Sequence, residues 1–79
     1  MPGLKPDLNP YYADLMRRFV RFAVDNEWYD TFASYYTPKQ NLYRYMTGDD
    51  WCNRRNRDRL GFHPGSFSEM DLMLTALGY

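Results

Sequence analysis

From Tyr12 onward the apolar residues Leu15, Met16, Phe19, Val20 and Ala23 recur at three- and four-residue steps. Asp14, Arg18, Arg21 and Asp25 fall on the opposite side of a 3.6-residue wheel. This spacing predicts an amphipathic helix, opened by Asn9 as N-cap with Pro10 at the first helical position. The stretch from Met1 to Asn9, with two prolines and a glycine, reads as an extended lead-in.

If that helix continued unbroken, the next apolar residues, Trp28, Tyr29, Phe32, Tyr35 and Tyr36, would project from the face that carries Asp14, Arg18 and Arg21. Two readings follow. Either the chain breaks near Asp25-Asn26-Glu27 and Asp25 caps a second helix, or one long helix serves its own core first and a partner second. The break is favoured, because Asp and Asn lean towards caps and turns.

Thr37-Pro38-Lys39-Gln40 has the spacing of a capping box, followed by Leu42, Tyr43 and Met46 and closed near Gly48. Asp49 is placed to cap the next segment, Asp50 to Arg59, which ends at Gly61 and holds only Trp51 and Cys52 as apolar residues before Leu60. Its middle is polar on all sides. His63-Pro64-Gly65 reads as a turn. Ser66 to Glu69 is a further capping box opening a last helix, whose Phe67, Met70, Met73, Leu74 and Leu77 share a face before Gly78 stops it. Short amphipathic stripes are unstable alone, so the expected fold is all-α: a single domain over residues 1–79, a small compact bundle of four to five short helices around a single core.

Composition narrows the function classes. The ten basic and ten acidic residues cancel, which argues against a strongly basic nucleic-acid coat and against an acidic mimic of a DNA backbone. A chain of this length hides only about 60% of its unfolded surface, leaving little room for a deep catalytic cavity. With eight Tyr, five Phe and two Trp, not every ring is expected to find cover. Tyr, Trp, Met and Arg are also the residues enriched where proteins touch.

Two features carry the candidate sites. The aromatic series Trp28, Tyr29, Phe32, Tyr35 and Tyr36 reads either as core or as an exposed anchor surface. Arg54, Arg55, Arg57 and Arg59 place four guanidinium groups within six positions beside Trp51. Guanidinium forks hold carboxylates and phosphates in bidentate geometry, so the cluster suits a protein contact or single-stranded nucleic acid; the plainer reading is a solvated helix whose arginines pair with nearby acids.

Catalysis has little to stand on. Cys52 and His63 as thiolate and base need a proximity that sequence does not supply, Asp49-Asp50 suits a helix start, and Glu69 belongs to its capping box. There is no glycine loop for phosphate, no nucleophile elbow and no zinc spacing, so neither cofactor nor metal is expected. A single cysteine and the lack of a signal-like or membrane-length apolar run point to the cytoplasm. The expected function is a non-catalytic interaction module, an inhibitor or adaptor docking on a larger protein. Small chains of this type are often carried by phages and mobile elements against host enzymes or defence complexes, anti-CRISPR proteins among them. The alternatives are a nucleic-acid-binding accessory protein working through Arg54 to Arg59, and a structural subunit of a larger assembly.

Overall fold

Four helices follow one another in the computed structural model, which describes residues 9–29 and 36–79: α1 (Pro10–Asp25), α2 (Pro38–Thr47), α3 (Trp51–Leu60) and α4 (Phe67–Ala76). Helix α1 packs on α2 and α4, and α2 packs on α3. The all-α bundle predicted from the patterning is observed, with one buried cluster at its centre. The expected lead-in, up to Leu8, lies outside the described residues, as do Phe32 and Tyr35.

The helix starts follow local chemistry. The Asn9 side chain accepts the Tyr11 amide at 3.0 Å, and Thr37 and Gln40 form the reciprocal box, each side chain accepting the other's main-chain N–H. Asp50 rather than Asp49 caps α3, accepting the Asn53 amide at 2.8 Å. Ser66 accepts the Glu69 amide, while the Glu69 carboxylate reaches one residue beyond the cap, to the N–H of Gly65.

The helix ends place two aromatic residues in the core and a third, partly buried, against it. After α1, Glu27 adopts a left-handed conformation (φ 58°), its N–H donates to the Val24 carbonyl, and the Trp28 N–H donates to the Ala23 carbonyl at 2.8 Å. After α3, Gly61 (φ 65°) turns the chain so that the Phe62 N–H reaches the Arg57 carbonyl at 2.9 Å. Gly78 (φ 92°) does the same after α4, and the Tyr79 N–H reaches Leu74 at 2.8 Å. Each is a Schellman closure, in which the residue after the left-handed one folds back over the last helical turn. Here those residues are Trp28, Phe62 and Tyr79, whose rings lie 6.4, 4.7 and 5.7 Å from Phe22.

Phe19 forms the middle of the core, stacked on Tyr45 at 4.7 Å and meeting Trp28 edge-on at 5.0 Å. Around it Leu15, Phe22, Ala23, Leu42, Phe62, Met70 and Leu74 are buried. Several expected faces need correcting. In α2 the core residues are Leu42 and Tyr45, three apart, whereas Tyr43 points to solvent. In α4 Met70 and Leu74 are buried, but Leu77, which follows the helix as its C-cap, is exposed. Asp25 is the last residue of α1 and caps no following helix in the described chain; Trp28 and Tyr29 are not helical. Helix α3, polar all round, still buries Asn53 and Asn56; Asn53 accepts the Trp28 indole N–H from the turn after α1, and Asn56 satisfies its amide within the helix by donating to the Cys52 carbonyl.

Arg18, expected on the solvent face of α1, instead clamps α1 to α4. Its guanidinium donates to the Asp71 carboxylate at 2.6 Å, to the Thr75 hydroxyl at 2.7 Å and to the Tyr79 main-chain oxygen at 2.7 Å. The same end of the molecule carries a pH-dependent bond. The Tyr79 hydroxyl donates to Asp25 at 2.6 Å, and this bond, followed by burial, raises the phenol above its ordinary value of 10.0. A raised folded-state pKa contributes stability that is complete below the unfolded value and lost as pH climbs through the folded one. Tyr79→Phe is therefore expected to melt below the wild type at neutral pH, with the gap closing as pH rises beyond 10. A gap of constant size across that range, followed by circular dichroism, would show that the hydroxyl makes no such contribution.

Candidate functional site

The turn that buries Trp28 exposes its neighbour. Trp28 is 1% exposed and Tyr29 68% exposed: the Trp28 N–H bond to the Ala23 carbonyl folds Trp28 back over α1, and Tyr29 beyond it faces solvent. Trp28 is thus a core residue and not part of an anchor surface. Its indole N–H donates to the Asn53 side chain at 2.9 Å, which ties the turn to the inner side of α3. The Tyr29 main-chain oxygen accepts from the Cys52 thiol at 3.2 Å, tying the same turn to the first turn of α3.

Helix α3 carries the exposed chemistry. Trp51, at its first position, is 69% exposed. Arg55, one turn on, holds its guanidinium over the Trp51 ring at 5.9 Å. Arg55 also lines a surface hollow of about 300 Å³ together with Glu27, Tyr29, Asn56 and Arg59. Tyr29, Trp51 and Arg55 therefore belong to one continuous patch between the turn and α3.

The four arginines of the cluster separate into two kinds. Arg57 is half-buried, donates to the Met46 carbonyl at 3.1 Å and lies 3.8 Å from the Asp58 carboxylate, linking α3 to the end of α2. Arg59 has one guanidinium nitrogen held by three neutral acceptors: the Asn26 carbonyl at 2.8 Å, the Glu27 carbonyl at 3.2 Å and the Asn56 side chain at 2.7 Å. Arg54 and Arg55 are exposed, as is the body of Arg59. The ion pairs among the described residues use Arg17, Arg18, Arg44, Arg57 and His63, and none of them uses Arg54, Arg55 or Arg59.

Gly48 fixes how closely α3 approaches α2. It is buried at φ 63°, and a side chain there would come within 3.1 Å of the Arg54 main chain and 3.0 Å of the Arg57 guanidinium.

Tyr36 stands apart from Tyr29. It is half-buried, has Arg44 over its ring at 5.4 Å, and lines a different groove of about 550 Å³ with Tyr43, Asp49 and Phe67 among the walls. Of the aromatic series, then, the structure places Trp28 inside, Tyr29 on the α3 patch and Tyr36 in the second groove. Trp51, which sequence reasoning treated only as a neighbour of the arginines, is the most exposed tryptophan. The signal was its position directly after the cap, where the first helical side chain stands clear of the preceding turn.

The residues considered for chemistry do not converge. His63 bonds the Asp58 carboxylate at 2.8 Å, and that bond is the main cause holding the Asp58 carboxyl below its ordinary range, with Arg57 and Arg54 adding to it. Cys52 is turned towards Tyr29. Asp50 is occupied as a cap and as a partner of Arg44 at 3.1 Å. Among the described residues no group of three or more His, Cys, Asp or Glu gathers in metal-binding fashion, and no helix is long and apolar enough to cross a membrane. Comparison of the chain with protein-family models, with curated proteins and with solved structures finds no match.

Proposed function

We propose that this chain is a non-catalytic docking module, a small inhibitor or adaptor that covers part of a larger protein. The observation that carries the reading is the patch formed by Tyr29, Trp51 and Arg55. Two large rings are more than two-thirds exposed beside guanidinium groups that form no ion pair within 4 Å among the described residues. Leaving such rings in water forfeits the free energy of their burial, and aromatic and Arg side chains are the ones that dominate binding energy at protein contacts. The patch revises the expected anchor series where it is described: Tyr29 is kept, Trp28 is withdrawn to the core, Trp51 is added, and Arg54 and Arg55 form the charged rim, while Phe32 and Tyr35 lie outside the described residues. The setting we propose is the cytoplasm, and the class is that of compact inhibitors directed at host enzymes or defence complexes, anti-CRISPR proteins included.

A nucleic-acid reading draws on one observation, the stacking of Arg55 on an exposed Trp51, an arrangement that also suits an unpaired base. The balanced net charge weighs against it, since phosphate binding relies on long-range attraction.

The test compares wild type with Trp51→Ala and Tyr29→Ala in quantitative capture from a lysate of the source cells. Each variant is expected to keep the wild-type melting temperature and to lose at least tenfold in partner affinity, as hot-spot truncations do. Undiminished capture by both variants would overturn the docking reading. Binding of short single-stranded RNA or DNA that falls steeply with salt would favour the alternative.

A further inference from the structure

The hollow between the Glu27–Tyr29 turn and α3 has a chemical character more specific than that of the patch around it. Two of its walls are Arg55 and Arg59, one helical turn apart on α3; neither forms an ion pair among the described residues, and with Glu27 on the rim the lining still carries one positive charge in excess. Arg59 is immobilised by two main-chain carbonyls and the Asn56 amide oxygen, all on one of its terminal nitrogens. Those acceptors fix the guanidinium plane without cancelling its charge, and none of them uses its other terminal nitrogen or its Nε. A pre-oriented planar cation costs little ordering entropy when it binds, which is how arginine comes to recognise planar anions. Tyr29 adds an apolar wall.

We infer that this hollow is a carboxylate socket, taking an Asp or Glu side chain from the surface of the docked protein, with Arg55 and Arg59 as its donors. The inference rests on the docking reading above and adds the chemistry of the partner. At about 300 Å³ the hollow has the volume of the smallest ligand sites, suiting one side chain and its flanking main chain. Glu27 on the same wall argues for a carboxylate over a polyphosphate chain. A nucleic-acid strand would bring several negative charges past Glu27, whereas a protein side chain delivers one.

The test uses two synthetic peptides, acetylated and amidated, with leucine and phenylalanine flanking either a central glutamate or a glutamine. Nitrogen-15 NMR follows the Nε–H signals of Arg55 and Arg59 and the indole N–H of Trp51 during titration. The glutamate peptide is expected to shift both arginine signals and to bind at least about tenfold more tightly than its glutamine twin, the scale of a charge-assisted hydrogen bond. Arg55→Gln, an exposed substitution, is expected to remove that preference. Equal binding of the twins, with shifts at Trp51, would overturn the socket while leaving the docking patch standing. No shift at either arginine would also overturn it, as would a short single-stranded oligonucleotide displacing the glutamate peptide at low salt. Failure of the docking reading shows separately, in undiminished partner capture by Trp51→Ala and Tyr29→Ala.

Discussion

Trp28→Ala is expected to cost about 3–5 kcal/mol of stability, the range for truncating a large aromatic residue in a packed core. The site supports the upper half of that range. Trp28 is 1% exposed, and its ring lies 5.0–6.4 Å from those of Phe19, Phe22, Tyr45 and Phe62. These neighbours are held by helices and by the turn at Gly61, so the cavity has little freedom to collapse. A chain of this length has a total margin of about 4–12 kcal/mol, so the variant stands at the edge of folding. Trp51→Ala, removing the same side chain from a 69% exposed site, is expected to shift stability by about 0.5 kcal/mol or less. Urea denaturation followed by circular dichroism measures both. Comparable losses for the two tryptophans would contradict the division into an inner and an outer indole on which the docking patch depends.

The four helices and most of their starts were legible in the sequence because they depend on local chemistry, although the cap of α3 falls at Asp50 rather than Asp49 and Asp25 ends a helix instead of opening one. Thr37 with Gln40 and Ser66 before Glu69 act within one turn, and the α1 stripe of Leu15 and Phe19 is a property of helical spacing alone. What periodicity could not reach was the chain just beyond each helix. Phe62 and Tyr79 follow glycines, and a glycine followed by an apolar residue at a helix end is a Schellman signature, so both were within reach of that rule. Trp28 follows Glu27, whose left-handed conformation no propensity suggests, and so an aromatic run that looked like one surface divides at that point. The arginine cluster misled in another way. Sequence spacing counts guanidinium groups but does not show where carbonyls await them; Met46 and the Asn26–Glu27 turn, which occupy Arg57 and Arg59, are brought to α3 only by the tertiary fold. The difference between Arg57, drawn in against α2, and Arg54, Arg55 and Arg59, which stay exposed, is therefore a property of the fold.

Asn53→Leu is expected to cost about 2–3 kcal/mol, although it replaces a polar side chain by an apolar one of similar size in a buried place, because it leaves a buried donor unsatisfied. Asn53 is 0% exposed; its side-chain oxygen accepts from the Trp28 indole at 2.9 Å, and its amide nitrogen donates to Asp50 at 3.2 Å. The partners dictate that orientation, since an indole N–H only donates and a carboxylate only accepts. Asp50 in turn accepts from Arg44 at 3.1 Å and from the Asn53 main chain, so one side chain joins the cap of α3, the last turn of α2 and the turn after α1. Trp28→Phe removes the indole N–H while retaining a ring, and combining it with Asn53→Leu isolates the bond between them. The double variant is expected to be more stable than the sum of the single losses predicts, by about 1–2 kcal/mol, because the orphaned donor has gone with its acceptor. Additivity within about 0.5 kcal/mol would mean that this hydrogen bond contributes little to holding α3. Since Tyr29 adjoins Trp28 and Trp51 and Arg55 lie on the outer side of α3, the same bond sets the register of the surface patch. A loss of partner affinity in Asn53→Leu, at temperatures where the variant stays folded, is the functional consequence of a change made wholly inside the core.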